Sequence, residues 1–337
     1  PAVAGCLQPL VEGFDVASQR ELQVALNAGM PAEHISFAGP GKRPPEIRAA
    51  VAAGITLNAE SLAEIHAAAT IGEAIGLQPR VALRINPAFE LKGSGMKMTG
   101  SPSRFGIDED QAAEALAAIG ELGLAFRGLH VYSGSQNLRA EAIIDANNET
   151  FELAFRLCEQ APCPPAFLNI GGGYGIPYFP GDEALDLRPV GENLGRWLPR
   201  VRERLGETSV VVELGRYLVG EAGFYVCRVV DRKVSRGQVF LVCDGGLHHN
   251  LANSGNFGQV IRKNYPVRIG NRLDEPAAET VTITGPLCTP LDLIAEKIDA
   301  PRAEPGDYVV VAQSGAYGLT ASPTAFLSHP EAGEILV

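Results

Sequence analysis

The sequence has 337 residues and lacks any apolar run near the roughly 18 residues that a membrane-spanning helix needs, and no signal peptide is visible. It also lacks excess positive charge. Its formal net charge at pH 7 is −11, whereas non-specific nucleic-acid binding requires a basic face. Its six cysteines form no CxxC pair and are typical of reduced cytosolic thiols rather than a disulfide framework. These absences predict a cytoplasmic globular protein without membrane or nucleic-acid partners.

Short apolar strands alternate with helical segments over the first two-thirds of the chain. The predicted strands are 13–16, 34–39, 56–59, 81–86, 128–133, 167–171 and 210–214. Helices are predicted at 44–53, 61–75, 109–122, 139–160 and 190–205, and Ser18 with Glu21 forms a capping-box pattern before another helix. This alternation predicts a parallel sheet with helical crossovers.

Seven strands are one fewer than a closed (β/α)8 barrel contains. The sequence begins at Pro1, without an initiator Met, so we expect a fragment whose first barrel strand lies upstream. A doubly wound sheet is the alternative. The last third is β-rich, with strands predicted at 224–232, 239–243, 280–284 and 307–312. The predicted domains are therefore a barrel over 1–221 and an all-β domain over 222–337.

Glycines follow two successive strands of the predicted barrel. Gly171, Gly172 and Gly173 follow one apolar stretch, and Gly215 with Arg216 follows the next. Glycines at such a position let backbone N–H groups approach a phosphate without interference from Cβ atoms. The pattern predicts a phosphorylated ligand at the C-terminal mouth of the barrel.

Several polar side chains lie within or at the ends of apolar strands. Arg84 and Asp15 face either a polar site or a structural ion pair, because an unpaired charge there is costly. Glu213 suits a cationic ring nitrogen better than a helix cap, whereas His130 alone is best interpreted as a satisfied core histidine. Tyr132 could lie on an aromatic ligand.

Two short glycine-bearing segments in the second domain, 285–292 and 313–318, would each be a turn if taken alone. Together with the preceding motifs they resemble the fold-type III, pyridoxal 5′-phosphate (PLP)-dependent amino-acid decarboxylases, which include the diaminopimelate and ornithine decarboxylases. The resemblance covers essentially the whole chain. Its motifs include Phe14-Asp15-Val16-Ala17-Ser18, Leu83-Arg84-Ile85-Asn86-Pro87, Arg104-Phe105-Gly106, Gly134-Ser135-Gln136, Gly171-Gly172-Gly173, Glu213-Leu214-Gly215-Arg216, Gly285-Pro286-Leu287-Cys288 and Gly315-Ala316-Tyr317.

The resemblance implies a role for each matching residue. Glu213 would keep the pyridine nitrogen of PLP protonated, Cys288 would donate a proton from a partner subunit in a homodimer, and Tyr132 would face the ring. Asp15 and Arg84 would lie near the Schiff base and ring hydroxyl, and Thr289 and Arg104 would contact substrate. The phosphate would be held by Ser135, Gly171, Gly172, Gly173, Gly215, Arg216 and Tyr317. No metal is expected.

Three positions depart from the family pattern. The family's Schiff-base lysine lies on the first barrel strand, and we expect it upstream of Pro1, since the motif matches none of the lysines at 42, 92, 97, 233, 263 and 297. Tyr132 replaces the usual ring-stacking histidine. Thr289 replaces the Asp or Glu that binds a distal substrate ammonium, and a neutral threonine cannot offset that charge.

The sequence therefore predicts a PLP-dependent amino-acid decarboxylase. Within the family it is especially similar to the decarboxylases of glutamate bound to an acyl carrier protein, as in butirosin biosynthesis, and to exosortase-associated decarboxylases. A tethered amino acid such as glutamate is the favoured substrate. Decarboxylation of free diaminopimelate, ornithine or lysine is the first alternative. A non-catalytic homologue that binds partners is the second.

Overall fold

The computed structural model describes residues 1–89, 102–257, 259 and 261–337, together with the backbone of residues 96 and 97. It contains two compact units. One comprises residues 1–173 and 185–213, and we call it the barrel unit; the other comprises 174–184 and 214–335, and we call it the β unit. The boundary predicted from the sequence, between 221 and 222, stays a prediction.

The barrel unit contains a parallel sheet with helical crossovers, as predicted. Its strands are β1 Phe14–Val16, β2 Ile35–Phe37, β3 Thr56–Ala59, β4 Arg80–Asn86, β5 Met96–Lys97, β6 Ile107–Asp108, β7 Ala125–Val131, β8 Gly134–Ser135, β9 Phe167–Gly172 and β10 Ser209–Glu213. The parallel order is β1-β2-β3-β4-β7-β9-β10, with β6 beside β4, while β5 pairs with β8. All seven predicted barrel strands are confirmed.

Seven helices accompany these strands in the described residues of the barrel unit. They are α1 Ala2–Leu7, α2 Gln19–Asn27, α3 Pro44–Ala53, α4 Leu62–Ile75, α5 Ala112–Glu121, α6 Ala140–Cys158 and α7 Arg188–Leu205. Ser18 caps α2 by accepting a hydrogen bond from the Glu21 amide at 3.1 Å. The Glu21 carboxylate in turn accepts a hydrogen bond from the amide of Ala17, one residue before the cap. The capping box is therefore present, but shifted by one residue.

Strand β4 shows how the sheet separates an apolar side from a polar one. Val81, Leu83 and Ile85 belong to the main apolar core, where they pack with residues of α5, α6 and α7. Because successive side chains of a strand point to opposite faces, Arg84 lies on the other face. That face carries the polar residues described below.

The β unit is built around one mixed sheet. Its elements are the short helix α8 Arg216–Val219 and the strands β11 Tyr225–Ser235, β12 Gln238–Cys243, β13 Val267–Ile269, β14 Glu279–Thr284, β15 Leu293–Ala300 and β16 Tyr308–Val311, in the order β13-β16-β11-β12-β14-β15. The four predicted strands are confirmed, whereas β13 and β15 were not predicted. None of the helices in the described residues has the length and apolar character needed to cross a bilayer.

Candidate active site

Polar side chains form a row across the C-terminal half of the barrel sheet. Arg84 on β4 pairs in register with His130 on β7, and His130 pairs with Asn169 on β9. All three are buried. The last strand, β10, shifts its register against β9 between Val211 and Glu213. Since a bulge re-aims the following side chain, this irregularity sets the direction of Glu213 at the strand end.

Two neighbours lie close to one oxygen of the Glu213 carboxylate. His130 Nε2 lies 3.0 Å from Glu213 Oε1, and Asn169 Nδ2 donates to the same oxygen at 2.6 Å. Burial raises the pKa of Glu213, but His130, Asn169 and the nearby Arg84 charge outweigh that effect, so the pKa is lowered overall. Glu213 is therefore held as an anion, and Oε2 is without a hydrogen-bond partner in the described residues.

His130 is the residue whose surroundings differ most from the interpretation by sequence. Its burial is confirmed, since it is 1% exposed. Its ring nitrogen nevertheless faces the Glu213 carboxylate, rather than a neutral group of the protein core. His130 therefore belongs to the candidate site, although taken alone it gave no signal of this in the sequence.

The pKa of Asp15 is shifted in the opposite direction to that of Glu213. Its Oδ1 accepts a hydrogen bond from the Ser36 hydroxyl at 2.5 Å. Although one side of the residue is open to solvent, crowding by protein atoms raises the pKa of Asp15 well above its ordinary value, and the charge of Glu213 raises it further. Ser36, Arg84 and Lys42 oppose this shift without cancelling it. Two carboxyl groups with pKa values pushed apart are typical of a catalytic site.

Arg84 is paired with an acid that the sequence did not single out. Its Nη1 lies 2.7 Å from Glu60 Oε1, so the ion pair expected inside the barrel exists but does not include Asp15. Glu60 also accepts hydrogen bonds from the amides of Gly39 and Gly106. The only sequence signal for Glu60 is its place directly after β3, where parallel strands present site residues.

Lys42 is the one buried lysine among those whose side chains are described. Its Nζ donates to Gly39 O, Asn58 O and Glu64 Oε2 at 2.7, 2.8 and 3.0 Å. An ammonium has three donors, so none is left for another partner. Lys42 is a structural residue, in agreement with its lack of the family's lysine motif. Lys92 and the side chain of Lys97 lie outside the described residues.

The three glycines at the end of β9, Gly171 and Gly172 in the strand and Gly173 just after it, are needed for close backbone approach. Gly171 and Gly173 have positive φ angles of 70° and 75°. A Cβ on Gly171 would lie 2.5 Å from Val131 O, and one on Gly173 would overlap Gly134 O. Ser135 lies beside them on β8, and its buried hydroxyl has no hydrogen-bond partner in the described residues. A cradle that excludes Cβ atoms next to an unpartnered hydroxyl suits an anionic group.

Tyr132 and Arg104 are the remaining predicted site residues of the barrel unit. Tyr132 is half-buried, and its Cα would lie 3.0 Å from a Cβ on Gly171. Arg104 is exposed, and its guanidinium lies 4.9 Å from the Phe105 ring centroid. The Arg84 guanidinium lies 5.1 Å from the same ring, so one aromatic side chain positions both cations.

Arg216 and Tyr317 form a cluster within the β unit. Arg216 follows Gly215 at the start of α8 and donates from Nη1 to the Tyr178 hydroxyl at 2.9 Å. Its guanidinium lies 4.7 Å from the Tyr317 ring and 5.3 Å from the Tyr178 ring. Tyr317 is exposed and has a positive φ of 54°. The two rings fix the orientation of the Arg216 charge.

Cys288 and Thr289 lie on a loop of the β unit that Asp292 holds in place. Cys288 is exposed. The buried Asp292 carboxylate accepts hydrogen bonds from the amides of Leu287 and Leu247 at 2.8 and 2.7 Å, and burial raises its pKa. Thr289 accepts a hydrogen bond from the Leu291 amide. Asp292 is thus a positioning residue for the loop, a role that its place in the motif did not reveal.

The described residues fit PLP. An anionic carboxylate with one free oxygen suits a protonated pyridine nitrogen, and the glycine cradle with the unpartnered Ser135 hydroxyl suits the phosphate. The structure brings the predicted residues Asp15, Arg84 and Glu213 into one electrostatic group of the barrel unit. The predicted residues of the β unit form two groups of their own, Arg216 with Tyr317 and Cys288 with Thr289.

Comparison with known proteins agrees with this fit. Residues 1–220 match the model of the pyridoxal binding domain of pyridoxal-dependent decarboxylases. The L-glutamyl-[BtrI acyl-carrier protein] decarboxylase of Niallia circulans is 40% identical over 96% of this chain and 77% of its own length. The 2-[(L-alanin-3-ylcarbamoyl)methyl]-2-hydroxybutanedioate decarboxylase of Staphylococcus aureus is 31% identical over 95% and 80%. Diaminopimelate decarboxylase from Helicobacter pylori, solved with L-lysine, has a TM-score of 0.83 at 28% identity, covering 98% of this chain and 80% of that one.

Proposed function

Because the chain belongs to the family of pyridoxal-dependent decarboxylases, we propose that it decarboxylates an amino acid tethered to an acyl carrier protein. The enzyme is a carboxy-lyase and its cofactor is PLP. The observation that carries the choice of substrate is the similarity to the Niallia circulans relative, which is named for a glutamyl group on a carrier protein. Glutamate on a carrier protein is therefore the leading substrate.

Thr289 supports a substrate whose far end is uncharged or tethered. It follows Cys288 on the loop held by Asp292, and its hydroxyl binds the Leu291 amide. A free diamino acid would bring a distal ammonium to a residue without a charge to offset it, which is unfavourable in a desolvated site. Arg104, an exposed guanidinium held by Phe105, suits a carboxylate of the substrate.

When bound, PLP supplies an electron sink for the electron pair that remains after carbon dioxide leaves. Glu213 would hold a proton at the pyridine nitrogen through Oε2, and its lowered pKa keeps the carboxylate anionic for this purpose. Tyr132 would face the ring, and Asp15 and Arg84 would orient the groups near the reacting carbon. The phosphate would be held by Ser135, Gly171, Gly172 and Gly173 of the barrel unit; the roles of Gly215, Arg216 and Tyr317 at the phosphate stay predictions from the sequence.

Cys288 delivers a proton to the substrate Cα. Cys288 is exposed in the single chain, and Asp292 fixes the loop that carries it. Both observations support the proposal that this loop reaches the active site of another protomer. A homodimer in which each protomer completes the site of its partner is therefore part of the proposal. A cytoplasmic location, in keeping with six free cysteines, is also part of it.

The similarity to a diaminopimelate decarboxylase solved with L-lysine favours, as the alternative, a free diamino acid as substrate. A non-catalytic binding partner is the alternative from another class. The deciding experiment incubates the PLP-loaded protein with a glutamyl-carrier protein and follows the carrier's mass. Loss of one carbon dioxide, abolished by Glu213→Gln, supports the proposal. An unchanged mass, while free diaminopimelate, ornithine or lysine is turned over, would refute it.

A further inference from the structure

The β unit contains a groove of about 970 Å³, within the usual size range of small-molecule sites. Its walls come from the segment 177–182, from residues 262–267 and from a bulge in β15. These segments all belong to the β unit. We call this cavity the β-unit groove.

Aromatic rings form one side of the β-unit groove. The ring centroids of Tyr178 and Tyr265 are 4.7 Å apart, and Phe179 lies about 6 Å from both, at 6.1 and 6.0 Å. The Tyr178 hydroxyl accepts the hydrogen bond from Arg216. The aromatic wall therefore adjoins the arginine proposed to bind the cofactor phosphate.

Three cations line the groove: Arg262, Lys263 and Lys297. None of the three forms an ion pair within the described part of the chain; Arg262 donates to the backbone carbonyls of residues 254, 293 and 294 and to the Asn264 side chain. Two acids also line the groove, Asp182 and Glu296. The Asp182 carboxylate is occupied by two backbone amides. The groove thus carries a local positive excess in a chain of net charge −11.

Two residues of the groove have backbone conformations that glycine would normally adopt. Lys297 has a φ of 51° and Gln313 a φ of 56°. Such strain in non-glycine residues persists where the surroundings impose it, often at functional sites. Gln313 donates from Nε2 to Pro177 O, whereas its buried Oε1 has no partner among the described residues. A buried acceptor of this kind calls for a donor.

We propose that the β-unit groove binds the phosphopantetheine arm of the carrier protein, an inference that rests on the proposed function. The arm carries one phosphodiester, two amides and an apolar dimethyl group. Lys263 and Lys297 match the phosphate, the free Oε1 of Gln313 matches an amide N–H, and the aromatic wall matches the dimethyl group. No other part of the substrate needs to enter the groove.

The kinetic test compares two substrates that share the glutamyl thioester. One is the glutamyl-carrier protein and the other is glutamyl-N-acetylcysteamine, which lacks the phosphate and most of the arm. The measured quantity is kcat/KM for the glutamyl-carrier protein divided by kcat/KM for the short thioester. Lys263→Ser should lower this ratio about tenfold, and so should Lys297→Gly. A tenfold change is about the usual effect of one lost charge-assisted hydrogen bond. Glycine at 297 keeps the positive φ without strain. Lys233→Ser, at an exposed lysine of β11 outside the groove, should leave the ratio unchanged.

A binding measurement separates this inference from the proposed function. Calorimetric titration of the PLP-loaded enzyme with 4′-phosphopantetheine should show binding that Lys263→Ser and Lys297→Gly weaken about tenfold each. Binding of that kind without decarboxylation of either thioester would contradict the proposed function and support the groove. Decarboxylation of the carrier substrate with an unchanged ratio in both variants and no phosphopantetheine binding would overturn the groove.

Discussion

His130 Nε2 lies 3.0 Å from Oε1 of Glu213 at the end of the last barrel strand. Asn169 donates to the same oxygen, so both neighbours act on one side of the carboxylate. In the proposed function, the other oxygen would face the ring nitrogen of the cofactor. His130 is therefore a positioning residue, because it keeps Glu213 anionic and correctly turned without itself having to touch substrate.

Replacing His130 should impair catalysis through Glu213. His130→Leu removes a contact with a charged group, worth about 1.5–3 kcal/mol, which corresponds to roughly a 10–100-fold lower kcat. Because His130 helps to lower the pKa of Glu213, its loss should raise that pKa and move the acidic limb of the kcat–pH profile to higher pH. The measurement is kcat of the PLP-loaded enzyme between pH 5 and 9.

His130→Gln is the matched control for a purely structural effect. It keeps a donor for Glu213, so it should recover part of the lost kcat and return the acidic limb towards its original position. Equal losses in both variants, with an unmoved pH profile, would mean that His130 only fills space in the core.

The buried pair of Arg84 and Glu60 should matter for stability as well as for the site. Both side chains are almost fully buried, and Glu60 also binds the amides of Gly39 and Gly106. Glu60→Gln should therefore lower the free energy of unfolding by about 3 kcal/mol, since it leaves a buried charge without its partner. Urea unfolding of the PLP-loaded protein measures this change.

A surface pair provides the comparison for Glu60. Arg200 and Glu152 are 2.9 Å apart, but both side chains are 48% exposed. Glu152→Gln should lower the free energy of unfolding by less than about 1 kcal/mol. A loss from Glu60→Gln as small as that from Glu152→Gln would contradict the importance assigned to the buried pair.

Gly171 should tolerate a methyl group far less well than a glycine of similar backbone conformation elsewhere. Gly171 and Gly123 have φ angles of 70° and 66°, but only Gly171 has backbone atoms where a Cβ would stand. Gly123→Ala should cost about 1–2 kcal/mol from its backbone alone, and Gly171→Ala about 1–3 kcal/mol more. Gly171→Ala should also weaken PLP binding, measured from the visible absorbance of the bound cofactor. Similar stability and PLP affinity of both variants would argue against a close-packed phosphate cradle.

We expect Asp307 to make a pH-dependent contribution to the free energy of unfolding of the β unit. Burial alone would raise its pKa, but Arg272, Asn271 and the Glu304 amide lower the pKa to about 2. A carboxylate with a depressed pKa stabilises the fold fully above its ordinary pKa, and this contribution is lost as the pH falls through the folded value. Asp307→Asn should therefore cost about 2 kcal/mol at pH 7, and the difference from the unmutated protein should shrink between pH 4 and pH 2. Urea titrations over this range test it, with Asp231→Asn, at an exposed carboxylate of β11, as the control for the loss of a surface charge.

The barrel and most of its boundaries were predictable from the sequence because βα alternation leaves strong local signals. Helix 44–53 and strand 56–59 match the structure residue for residue. Strands β13 and β15 escaped prediction for physical reasons. β13 has only three residues, and β15 contains a bulge that brings Glu296 and Lys297 next to each other on the exposed surface, which breaks the alternation of apolar and polar residues.

The site was predictable where a residue's place on its strand carries the information. Asp15, Arg84 and Glu213 interrupt or end apolar strands, and the structure groups their charges. Glu60 and Asp292 were missed because they act by accepting hydrogen bonds from amides that lie up to 46 residues away in sequence. Such contacts depend on the folded backbone and leave no local pattern.

The structure shows a second role for the three glycines Gly171, Gly172 and Gly173. The sequence indicated a turn open to a phosphate, since glycine has no Cβ. The structure adds that carbonyl oxygens of Val131, Gly134 and Glu213 occupy the places where those Cβ atoms would lie. The glycines therefore hold the strand ends together as well as leaving room for an anion.

The most direct test of the account measures carbon dioxide release from two substrates under the same conditions. One is glutamate labelled at its α-carboxyl group and loaded on a carrier protein, and the other is free diaminopimelate labelled in the same way. With the neutral Thr289 beside Cys288, kcat/KM should be at least about 100-fold higher for the tethered substrate. Equal or faster release from free diaminopimelate would contradict the proposal that this decarboxylase acts on a tethered amino acid.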